Sequence, residues 1–125
     1  MQGVSGKMGK TGRRCEELSA YFVYMLRCRG DVYYTGLTTD IARRYRLHLS
    51  GKGAKFTRSH PPEAIAAAWH CGDKAAAAKV EYAIKKHLHR PEKAALIAAP
   101  ENIAQFLPQL IDLPLEVVDI TMIEV

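Results

Sequence analysis

At 125 residues the chain has room for one domain and one core. A composition that is 48% hydrophobic and 25% charged excludes wholesale disorder, and no apolar stretch is long enough to cross a bilayer. The net charge of +5 conceals an asymmetry: residues 21–60 carry eight basic and two acidic side chains, residues 91–125 one basic and six acidic. A basic front half suits an anionic partner, nucleic acid being the commonest; a solvated basic surface with no ligand fits the charge equally well. Cys15, Cys28 and Cys71 are odd in number and contain no Cys-x-x-Cys pair. Neither a disulfide framework nor a zinc ribbon is indicated, and the expected location is a reducing compartment, most simply the cytoplasm.

Residues 1–18 are rich in Gly, Lys, Ser and Arg and read as a mobile basic tail. Gly9-Lys10-Thr11 hints at a phosphate-binding loop, but Val4 stands where its first glycine is required, so the motif is rejected. Tyr21–Cys28 and Val32–Leu37 are rich in aromatic and β-branched residues and flank Arg29-Gly30-Asp31, the pattern of a β-hairpin. Thr38-Thr39-Asp40 offers cap residues for a helix over Ile41–Leu49, which Ser50-Gly51 stops. Residues 51–62 read as a basic loop closed by two prolines. Glu63–Cys71 is predicted as a third strand. Asp73 caps a second helix from Lys74 to about His89, ended by Pro91. Beyond it, Lys93–Ala98 and Asn102–Leu110 read as short helices and Leu115–Val125 as a final strand.

On the first helix, at 100° per residue, Ile41, Tyr45 and Leu49 share the face expected to rest on the sheet. Arg44 and His48 are four apart and border that face. They either share a small polar or anionic target, or are an arginine lying along the core edge and a histidine satisfied by a backbone group. On the second helix Ala77, Ile84 and Leu88 form an apolar stripe in which Glu81 sits. A carboxylate there needs compensation: a divalent cation, or a salt bridge to Arg44 or Lys85. His87 and His89 are two apart, do not face each other, and read as surface residues.

Together these residues resemble the GIY-YIG nuclease family. Phe22-Val23-Tyr24 stands at the first tripeptide and Tyr34-Thr35-Gly36 at the second. Arg44 follows Tyr34 by ten positions, His48 follows Arg44 by four, and Glu81 lies on the later helix. The run from Ser50 to Arg58 further resembles the short, stand-alone bacterial branch. Phe22 replaces the family's glycine and Thr35 its isoleucine, neither of which does chemistry. The single asparagine, Asn102, lies beyond Pro91 and Pro100 and is not assigned the family's late asparagine role.

The resemblance implies an α+β fold with a small three-stranded, mainly antiparallel sheet flanked by helices. It places the nuclease-like domain at 19–92 and leaves 93–125 as an acidic extension packed on it. It implies hydrolysis of a phosphodiester in DNA, RNA not excluded, with Glu81 holding one Mg²⁺ or Mn²⁺. Arg44 would neutralise charge on the phosphate. Tyr34 would sit beside the nucleophilic water, a role that needs a nearby cation because phenols ionise only near pH ~10. His48 would bond a tyrosine or relay its proton, and Tyr24 would complete the pocket. Arg43, Arg46, Lys52, Lys55 and Arg58 would track backbone phosphates, giving structure preference rather than base readout. The small binding area suggests help from dimerisation or a protein partner. Two competing expectations are a non-catalytic nucleic-acid-binding module on the same fold and an interaction protein docking through its acidic segment.

Overall fold

The computed structural model describes residues 20–124; the predicted N-terminal tail lies outside them. The chain runs β1 (Tyr21–Cys28), β2 (Val32–Thr38), α1 (Ile41–Leu49), α2 (Lys55–Ser59), β3 (Pro62–Gly72), α3 (Lys74–His87), α4 (Arg90–Ala98), α5 (Ile103–Phe106) and β4 (Glu116–Val117), with short 3₁₀ turns near the C-terminus. The sheet is antiparallel in the order β2-β1-β3-β4. The fold class is α+β: the three-stranded sheet that the resemblance implies is extended at one edge by the strand expected near the C-terminus, here two residues long.

The β1–β2 hairpin turns where Gly30 (φ 90°) and Asp31 (φ 58°) adopt left-handed backbone, a region open to Gly and tolerated by Asp. Its register sets Tyr24 opposite Gly36, Met25 opposite Thr35 and Leu26 opposite Tyr34. The two-residue strand period then sorts side chains to two faces. Val23, Met25, Ala67, Trp69 and Cys71 face α3, whose Ala77, Val80, Ala83 and Ile84 complete one core; Leu96, Ile103, Leu107 and Leu110 join it. Tyr24, Leu26, Cys28 and Ala68 face the other way, against Ile41 and Tyr45 of α1. The acidic C-terminal elements thus share one core with the sheet, and the Trp69 indole N–H donates to the Pro100 carbonyl at 2.9 Å.

Several boundaries differ from expectation. The predicted basic loop contains α2, whose Thr57 hydroxyl receives the Ala54 N–H at its start. The helix after β3 ends at His87, because Leu88 is extended. Pro91 does not end it but occupies the first turn of α4, where a missing N–H costs nothing. The single helix expected over Asn102–Leu110 is split: α5 stops at Phe106, and Pro108 opens a 3₁₀ turn. The long final strand shrinks to Glu116–Val117, paired with Trp69 and His70. Beyond it the Asp119 carboxylate accepts from the Thr121 N–H (3.0 Å) and hydroxyl (2.6 Å), a local alternative to ladder bonds.

Candidate active site

Asp40 starts α1 by accepting the Arg43 N–H at 3.1 Å, which orients the helix across the face of β1 that carries Tyr24. Ile41, Tyr45 and His48 are its buried side chains. Leu49, expected on that face, is 53% exposed. The buried stripe follows i, i+4, i+7, so His48 is in the interior rather than on its border.

His48 is fully enclosed and satisfied by side chains, not by a backbone group. Its Nε2 lies 2.8 Å from the Tyr24 hydroxyl and its Nδ1 2.8 Å from the Thr57 hydroxyl. The Thr57 oxygen also receives the Ala54 N–H (3.2 Å) and lies 3.0 Å from the Ala54 carbonyl. These partners fit one proton arrangement. Thr57 donates to the Ala54 carbonyl, His48 Nδ1–H donates to Thr57, and the Tyr24 phenol donates to Nε2. Burial, and then the charge of Arg44, lower the His48 pKa to about 4, so the ring is neutral near pH 7. The Tyr24 phenol is pushed well above its ordinary range, first by burial and then by Tyr34, with Arg44 pulling the other way. Tyr24 is therefore a protonated hydrogen-bond donor.

Two glycines make this close approach fit. A Cβ on Gly36 would lie 2.6 Å from the Tyr24 hydroxyl oxygen, 2.8 Å from its Cζ and 3.0 Å from Tyr34 Cε2. A Cβ on Gly53 would overlap His48 Nδ1 and lie 2.9 Å from the His48 Cα. Neither glycine, nor Thr57, was singled out as a site residue from the sequence. Thr57 is the one uncharged hydrogen-bonding side chain at the centre of the Lys55–Ser59 helix, a weak signal in a run read as a basic loop.

Tyr34 is half-buried, with its ring centroid 4.9 Å from His48 and 6.2 Å from Tyr24. Arg44 is also half-buried and acts on both Tyr24 and His48. Glu81 approaches from α3, close enough for its charge to oppose ionisation of Tyr24. Its side chain is 24% exposed and paired with Lys85 at 3.1 Å. It therefore sits at the edge of the apolar stripe rather than within it, and Lys85, not Arg44, is the cation it meets. Lys85 Nζ also lies 5.8 Å from the Tyr34 ring centroid. The five residues Tyr24, Tyr34, Arg44, His48 and Glu81 thus come together around the Tyr24–His48 bond. Arg43, Arg46, Lys52, Lys55 and Arg58 are all exposed, on or just beyond α1 and on α2. His87 and His89 are exposed as well.

Residues 20–94 match the GIY-YIG catalytic domain. The chain belongs to the GIY-YIG family. The GIY-YIG domain is a nuclease fold, and its match spans both tyrosine strands, α1, α2 and the Glu81 helix. The chain is 50% identical over 68 residues to the UPF0213 protein H16_B0156 of Cupriavidus necator, covering 54% of this chain and 74% of that one. It is 38% identical over 93 residues to the UPF0213 protein YhbQ of Salmonella arizonae, covering 74% and 92%. A solution NMR structure of the UPF0213 protein BH0048 from Bacillus halodurans is 40% identical, covering 70% of this chain and 96% of that one, with a TM-score of 0.42. These relatives mark the chain as a stand-alone GIY-YIG protein of the bacterial type. No described helix is long and apolar enough to cross a membrane.

Proposed function

We propose that this GIY-YIG protein is a metal-dependent endonuclease that hydrolyses phosphodiester bonds of structured DNA, of the repair or recombination type. One observation carries the reading. A buried Tyr24–His48–Thr57 hydrogen-bond chain holds the ring system, and the groups around it that reach solvent, Tyr34, Arg44 and Glu81, suit a phosphodiester.

Tyr34, the more accessible tyrosine, positions the attacking water or takes its proton. Lys85 Nζ lies over the Tyr34 ring, 5.8 Å from its centroid, and adds positive charge on that side of the site. Arg44 neutralises charge growing on the phosphate oxygens. His48, neutral and with Nε2 accepting, keeps Tyr24 oriented at the floor of the pocket. Arg43, Arg46, Lys52, Lys55 and Arg58 follow the flanking phosphates.

Among the described residues no group of three His, Cys, Asp or Glu side chains could enclose an ion. The donor set, one partly exposed carboxylate, fits a hard cation that keeps its waters and completes its shell with substrate oxygens. Glu81 would hold one Mg²⁺ or Mn²⁺, giving up its bond to Lys85. When bound, the ion supplies Lewis-acid stabilisation of the scissile phosphate. We assign the chemistry to residues 19–92 and read 93–125 as an acidic extension packed on them. A domain this small gives limited binding area, so dimerisation or a protein partner is expected to assist.

The test is a panel of branched, flapped, nicked and single-stranded DNA and RNA, incubated with Mg²⁺ or Mn²⁺. Wild type is expected to cleave a branched or nicked DNA, and Glu81→Gln to bind it without cleaving. The Glu81–Lys85 ion pair favours one competing reading, a binding module in which Glu81 is purely structural. Binding without cleavage by wild type across the whole panel would establish that reading.

A further inference from the structure

Among the described residues, the outer edge of β2 has no strand partner. A groove of about 230 Å³ is lined by Val32 and Tyr33 of β2, Phe56 of α2, and Arg90 and Lys93 of α4. Its size is below the ~300–1,000 Å³ usual for whole small-molecule ligands, which suits a single flat ring. Phe56 is 38% exposed, its ring stacked on His60 with centroids 4.7 Å apart and planes 19° from parallel. It is also the link between the groove and the candidate active site, because its ring stacks on Tyr34 with centroids 6.0 Å apart and planes 28° from parallel.

Two of the lining residues are cationic. The Arg90 guanidinium is held by the β1–β2 turn, donating to the Asp31 carbonyl at 3.1 Å with the Asp31 carboxylate 3.9 Å away. Lys93 is half-buried and, among the described residues, makes no ion pair. Its pKa is lowered by burial and then by the nearby charge of Lys85.

We propose that this groove binds an unpaired nucleotide next to the scissile phosphate, so that the substrate is single-stranded, or locally unpaired, on that side. The base packs against Tyr33 and the exposed part of the Phe56 ring, and the adjoining phosphate meets Lys93 and Arg90. A base stacked inside a duplex cannot enter such a groove, whereas an unpaired one can. The groove departs from the basic surface expected from the sequence, which ended at Arg58; its cations come from α4. The proposal rests on the nuclease reading for its scissile phosphate, but its test does not require cleavage.

The full chain is titrated, in EDTA so that no cleavage occurs, with fluorescent single-stranded DNA and RNA of about 12 nucleotides and with a blunt duplex of the same sequence. The DNA and RNA arms distinguish the two sources of this chemistry, and Phe56 dependence in either supports the groove. Phe56→Leu keeps an apolar side chain at an exposed position. It is expected to weaken single-strand binding by between about 5- and 150-fold, the loss of one base–aromatic contact, with duplex affinity unchanged. Lys93→Gln is expected to lower the slope of log affinity against log salt by about 0.7 on the single strand, one phosphate contact. Equal losses on single strand and duplex, or no loss on either single strand, would overturn the groove. Persistent Phe56-dependent binding with no metal-dependent cleavage would instead overturn the hydrolase reading and leave the groove intact.

Discussion

The enclosed His48 makes stability depend on pH in a defined window. In the fold its pKa is lowered to about 4; in the unfolded chain it returns to its ordinary value near 6.5. Both ring nitrogens are committed, to Tyr24 and Thr57, so an added proton must break the acceptor role of Nε2 beside a cationic Arg44. Below about pH 6.5 the unfolded chain binds a proton that the folded chain refuses. This contribution to stability is therefore fully present above pH 6.5 and is lost as pH falls towards 4. A shift of roughly 2.5 units corresponds to at most about 3 kcal/mol. Urea titrations followed by the single tryptophan, Trp69, at intervals from pH 4.5 to 7.5, measure it. Carboxylates also titrate at the acid end, so the useful quantity is the gap between wild type and His48→Gln. At pH 7.5 the variant is expected to be less stable by about 1–3 kcal/mol, through imperfectly replaced buried hydrogen bonds. The gap should close by pH 4.5, because glutamine has no proton to refuse. A gap that stays constant across the range would refute the neutral, enclosed histidine.

Gly53→Ala should destabilise the fold by about 1–3 kcal/mol by pressing on His48, measured by the same titrations; its backbone is not left-handed, so a neutral result would mean that α2 moves aside freely. Gly36→Ala should displace the Tyr24 hydroxyl, lowering any cleavage rate more than DNA affinity in single-turnover and binding assays. Leu96→Ala, fully buried outside the family match, should cost about 2–5 kcal/mol; a loss below 1 kcal/mol in urea would show that the acidic extension contributes little to the shared core. Lys85→Ala should tighten Mn²⁺ binding at Glu81, read by calorimetry, because the competing ammonium is gone; weaker binding would argue that Lys85 helps hold the site together.

How far the sequence carried depended on how local each feature is. The β1–β2 hairpin, α1 and the start of α3 were legible because turn glycine, cap aspartates and side-chain period are properties of adjacent residues. The alternation of β1, with Tyr24 on one face and Val23 and Met25 on the other, follows from the strand period alone. The order of Tyr24, Tyr34, Arg44, His48 and Glu81 was equally visible. Their meeting at one hydrogen bond was not, since it depends on α1 crossing one sheet face and on Gly36 and Gly53 leaving room. Leu49 and His48 show the difference: apolar character favoured Leu49 for the interior, but the tilt of α1 buried His48, where Tyr24 and Thr57 satisfy both nitrogens. Glu81 lies less deep than its stripe suggested, partly exposed, and of the partners the sequence offered it is Lys85 that pairs with it. The tail from Leu115 alternates like a strand, yet only two residues find a partner edge on β3 before Asp119 captures its own backbone. The sequence by itself determined which residues could carry the chemistry and the faces on which local periods would set them. Only the tertiary structure decided which of them lose water, because burial depends on what packs opposite, and loss of water is what keeps His48 neutral and Tyr24 protonated.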